Sequence, residues 1–167
     1  DGDGAAIQDY RETIRTKTAS NVNVSNACAA TTQGLQVFYR DDSQGILLGA
    51  TLLKSGWSYE IVDGDKLTGG RSEGDVAFHL AAVTTGKKIH LLYDSVLASP
   101  DKKPIQGDIR YATRSSVSPL DWQYTAVESG RREIPVAGFD LGLSVEGSAI
   151  RAIWYASSAA TISKADR

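Results

Sequence analysis

The feature that most constrains this chain is that it repeats itself. The stretch "GILLGAT" at 45–51 returns as "GDIRYAT" at 107–113, and each is followed by a Trp-x-Tyr run, "WSYEIVDG" from Trp57 and "WQYTAVES" from Trp122. Three other segments alternate apolar with other side chains and reach an aromatic four residues in. They are "LQVFYRD" from Leu35 with Tyr39, "IHLLYDS" from Ile89 with Tyr93, and "IRAIWYA" from Ile150 with Trp154. Alternation of period two is the signature of a strand with one face buried. Eleven residues before each of these starts lie Val24, Phe78 and Phe139, within "VSNACAA", "FHLAAVT" and "FDLGLSV". A glycine between the members of each pair, Gly34, Gly86 and Gly147, supplies the chain reversal of an antiparallel hairpin.

The repeating unit is therefore a four-strand antiparallel meander, and the expected class is all-β. Two copies are complete, at about 24–63 and 76–128, and a partial third occupies 137–167 and holds two clear strands. Residues 1–23 read as an Asp/Gly leader and an outer strand. Tyr39 to Tyr93 is 54 residues and Tyr93 to Trp154 is 61. The extra length falls in "VLASPDKKPIQG", read as a loop between the second and third strands of the second copy, where insertions are tolerated. One such sheet cannot bury both faces alone, so the copies are expected to stack.

Units of this length, with an apolar central strand, a Tyr-Asp-like turn, a strand ending in Ala-Thr and then a Trp strand, resemble the blades of a β-propeller. The resemblance is to the broad sialidase-like and six- or seven-bladed group, from about residue 24 onward. It lacks the Ser-x-Asp-x-Gly-x-Thr-Trp turn of many sialidase-type blades, since "DDSQGILLGA" has no final Thr-Trp. It also lacks a Trp-Asp signature, since Ser58 and Gln123 follow the tryptophans. The resemblance implies face-to-face blades with Trp57 and Trp122 packed between them. A propeller has about four to eight blades, more than this chain supplies. Closure then requires a third blade completed from both chain ends, a second copy making a six-bladed ring, or a partner fragment. The absence of Met and the final Arg167 favour an excised or processed piece. An open β-sandwich is the alternative architecture.

Charge narrows the partners. Eighteen basic residues against 20 acidic ones leave a formal charge of −2, without the positive field that nucleic-acid backbones reward. No run approaches the roughly 18 apolar residues of a membrane-spanning helix. Cys28 alone makes no internal disulfide.

Candidate sites are few. Asp1 and Asp3 of "DGDG", with Asp9 beyond it, offer the hard oxygen ligands of a Ca²⁺ loop; an ordinary linker explains them as well. Asp41, Asp42 and Asp94 read as acids at the equivalent turn of two blades, placed to line a channel or to bind sugar hydroxyls or cations. Asp in a turn also bonds its own backbone. Arg110 and Arg114, with Arg131 and Arg132, could recognise carboxylates or phosphates or form a solvated rim. His79 and His90 are too few for zinc with Cys28 in another unit, and "NVS" at Asn23 fits a glycosylation acceptor. The expected function is a non-enzymatic, secreted or cell-surface module whose rim loops bind a protein or glycan. The competing expectations are a propeller-type glycoside hydrolase or lyase using acids such as Asp42 and Asp94, and a structural piece that assembles with a second chain.

Overall fold

The computed structural model describes residues 22–66, 69–72, 75–98, 104–116, 121–129 and 136–157. The alternation becomes strands β1 (Val22–Thr31), β2 (Gly34–Asp41), β3 (Ile46–Leu53) and β4 (Gly56–Asp63), then β5 (Asp75–Thr85), β6 (Lys88–Ala98), β7 (Pro104–Ser115) and β8 (Gln123–Glu128). Two more follow, β9 (Val136–Glu146) and β10 (Ala149–Ser157). The first four form an antiparallel meander, β1-β2-β3-β4; the next four form a second, with β8 on β7. The β9–β10 hairpin joins the second sheet through a single parallel bridge, Gly107 to Val136. The described residues thus form two sheets and no closed ring.

The repeat is exact in register. Thr31 pairs with Gly34, Thr85 with Lys88 and Glu146 with Ala149, so each hairpin turns on two residues. Gly86 and Gly147 hold the first turn position at φ 56 and 60, the conformation that a type II′ turn reserves for glycine. Gly34 differs from the expectation. It opens β2 at φ 143, and a Cβ there would stand 2.2 Å from the Leu52 carbonyl oxygen. In every unit the first strand is bulged at the same step. The β1 register slips between Val22 and Asn26, and that of β5 between Val76 and Leu80, 54 residues later in both cases. In β9 the slips fall within 137–142, and the second strand stays regular.

Two expected boundaries move. The stretch read as a long loop is mostly strand, because β6 runs on to Ala98 and pairs with β7 down to Pro104. Proline fits there as the first residue of its strand, where no ladder donor is required. The β6 extension also carries Asp94 into mid-strand, opposite Ile109, so Asp94 is not at a turn. Its counterpart by the 54-residue offset is Arg40 rather than Asp41 or Asp42.

Pleating decides which neighbour each side chain meets. Phe38, Leu47 and Val62 of the first sheet pack against Val76, Ile89, Leu91, Tyr93, Ala112 and Trp122 of the second. Phe38 meets Trp122 edge to face, with centroids 5.9 Å apart, a favoured aromatic geometry. The opposite face of the second sheet, with Leu92 and Ile109, packs against Leu141, Leu143, Trp154 and Ala156 of the β9–β10 hairpin. Tyr39, Ile46, Leu48, Ala50 and Ile61 are buried on the far side of the first sheet, with Trp57 packed against them. Thus Tyr93 and Trp154 look back toward the preceding unit, and Phe38 and Leu92 look forward to the next.

Candidate functional site

Charged residues set into an alternating strand must find partners across the seam or cost several kcal/mol on burial. Here they find them. Asp63 is fully buried at the end of β4. Its Oδ2 accepts from the Tyr93 hydroxyl at 2.6 Å and from Arg110 Nε at 3.0 Å. Its Oδ1 accepts from the Ser72 and Gly64 amides and the Ser72 hydroxyl. Burial first, then the Asp63 charge, push the Tyr93 phenol well above its ordinary value, so it stays a donor. One unit later the same tie recurs with different residues. Glu128 ends β8 as Asp63 ends β4, and it accepts from Trp154 Nε1 at 2.7 Å. Each fourth-strand acid therefore holds the second-strand aromatic of the following unit.

A second tie runs the same way. Arg40, 2% exposed, donates to the Val76 carbonyl and to Asp75, pairs with Asp42, and lies over the Phe78 ring at 3.7 Å. Asp42 is thereby a partner of Arg40. Asp41 closes its own turn by accepting from the Ser43 backbone N–H and hydroxyl and from the Gln44 side-chain Nε2, as Asp in a turn commonly does. Asp94 accepts from the His79 backbone N–H, and its Oδ2 lies 3.0 Å from His79 Nδ1. That contact, with a contribution from Asp140, holds the imidazole above its usual value against the opposing effect of burial.

For Arg110 and Arg114 the reading as a solvated rim is corrected. Arg110 is committed to Asp63 and the Gly70 carbonyl. Arg114 is 4% exposed. It donates to Gln36 Oε1 at 2.9 Å and Glu60 Oε1 at 2.6 Å, and lies 4.9 Å from the Trp122 ring. Trp122 Nε1 donates to the other Glu60 oxygen at 3.0 Å. Burial raises the Glu60 carboxyl pKa, although Arg114 and the Trp122 hydrogen bond oppose it. This seam gathers a carboxylate, a guanidinium, an amide and an indole from β2, β4, β7 and the residue before β8, with the Glu60 side chain still 12% exposed. Glu60 and Gln36 were not singled out in the sequence; their lone polar positions in apolar alternation were the available signal.

The five expected ligand residues are therefore divided among separate networks and do not converge. Asp1, Asp3, Asp9, Arg131 and Arg132 lie outside the described residues. Among the described residues no group of three or more His, Cys, Asp and Glu is arranged to hold a metal ion, and no helix is long and apolar enough to cross a membrane. No family model, curated protein or solved structure matches the chain.

Proposed function

We propose that this chain is a non-enzymatic, exported or cell-surface module of stacked β-propeller-type blades that binds a glycan at the seam between its first two sheets. The observation that carries the reading is the Glu60–Arg114–Trp122 cluster, with Gln36 beside it. Sugar hydroxyls ask for a carboxylate acceptor and a charged donor, whose hydrogen bonds are the stronger kind. Recognition sites combine apolar walls with a few placed polar groups; Trp122, 9% exposed and packed on Phe38, belongs to the wall, and the Glu60 carboxylate at 12% is the edge a sugar hydroxyl reaches. Export is suggested by the Asp-Gly leader alone.

A glycan array probed with the native chain, Glu60→Gln and Arg114→Lys tests it. Selective binding that both variants reduce at least tenfold, with each variant still folded at the assay temperature, supports the seam; no binding across the array overturns it. A second reading, a propeller-type glycoside hydrolase or lyase, is favoured by the His79–Asp94 pair, in which a carboxylate orients an imidazole as an acid–base group requires. Turnover of chromogenic glycosides that Asp94→Asn abolishes would replace the first reading.

A further inference from the structure

The stack has two end faces, and they differ. At the first-sheet end, Tyr39 and Ala50 are each 4% exposed and Ile46 and Leu48 each 1%. At the other end, Ile153 is 70% and Tyr155 58% exposed. Ile153 stands at the step taken by Phe38 and Leu92 in the preceding units, both of which are covered by the next unit. The outward face of β9–β10 is therefore the face that each of the two preceding units buries, left uncovered in the third unit.

We propose that a second copy of the chain covers it, through the same face, about a two-fold axis. A head-to-tail ring would need the Tyr39 face as the receiving surface, and that face is already buried; an uncovered face that must meet itself gives an isologous dimer. Its charge pattern suits its own image. Glu146 and Arg151 form an exposed ion pair on this hairpin, and a two-fold rotation allows Arg151 of each copy to meet Glu146 of the other around a centre at Ile153. A shallow groove lined by Gly142, Ser144, Arg151 and Ile153 gives the mate's side chains a place to seat. The units then run 1-2-3-3-2-1 through the pair. The inference is independent of the glycan reading, since the Glu60–Arg114 seam lies between the first two sheets.

The test is solution mass across a hundredfold range of protein concentration, by light scattering and sedimentation, for the native chain, Ile153→Glu, Arg151→Glu and the charge exchange Glu146→Arg with Arg151→Glu. The expected result is a mass near twice 17.8 kDa at high concentration. Ile153→Glu should weaken it at least tenfold and Arg151→Glu less, with the exchange restoring association. Ile153 is exposed in the single chain, so at the lowest concentrations, where both proteins are monomeric, the variant's melting curve should match that of the native chain, and at high concentration the native chain should melt higher. A monomer throughout, or a dimer that Ile153→Glu leaves intact, overturns the proposal.

Discussion

Replacing Tyr93 with Phe isolates one inter-unit tie. The ring keeps its place between the sheets, and only the hydroxyl that donates to Asp63 Oδ2 at 2.6 Å is lost. A hydrogen bond to a charged group contributes about 1.5–3 kcal/mol. Asp63 keeps Arg110, Ser72 and Gly64 as donors, which places the loss near the lower end, at about 2 kcal/mol. For a chain of this size each kcal/mol moves the melting temperature by roughly 2–4 °C, so Tyr93→Phe should melt about 4–8 °C lower. Thermal and urea unfolding would measure it, with an unchanged urea m-value showing that the fold is otherwise intact. Ser58→Ala, which removes a hydroxyl at an exposed position, is the control and should stay within about 0.5 kcal/mol of the native chain. In a double-mutant cycle with Asp63→Asn the two losses should fail to add by at least about 0.5 kcal/mol. If Tyr93→Phe is no less stable than Ser58→Ala, or the cycle is additive, the tie does not hold the units together.

Two further outcomes follow from local geometry. Gly34→Ala should destabilise more than Gly86→Ala. Both glycines sit at positive φ, but the new Cβ at Gly34 meets the Leu52 carbonyl at 2.2 Å while that at Gly86 meets nothing within 4 Å; equal melting temperatures would refute the contact. The raised His79 pKa makes this group's contribution to stability fully present below pH 6.5 and lost as pH rises through the higher folded value. Urea unfolding between pH 6 and 9 should therefore show a decline that Asp94→Asn flattens, and parallel curves would dismiss the pairing.

The strands were legible because burial on one face writes itself as alternation, and the hairpins because Gly86 and Gly147 occupy positions few other residues adopt. What stayed hidden joins residues across the seam. Asp63 and Glu128 each stand six residues after the Trp that opens its run, and Tyr93 and Trp154 are the aromatics of the second strands, yet nothing in the chain says that one holds the other in the next unit. Arg114 reads as a surface charge until Gln36 and Glu60, 78 and 54 residues away, come from the facing sheet. Asp94 was misplaced because "YRDD" and "YDS" look alike, whereas the 54-residue offset aligns Asp94 with Arg40. The bulges leave no mark in composition, because they are a mismatch between two strands and belong to neither alone.

The tie between a fourth-strand acid and the following unit's aromatic gives the middle unit a donor, Tyr93, on one side and an acceptor, Glu128, on the other. Such a brick has a top and a bottom. A copy inserted after residue 63 would find a matching joint above and below, whereas one inverted there would set acid against acid, a conflict that the two described strands of the third unit, with no fourth-strand acid among them, do not present. A chain built this way lengthens or shortens by whole units of 54 to 61 residues, and duplication is a change it can absorb without a new kind of joint.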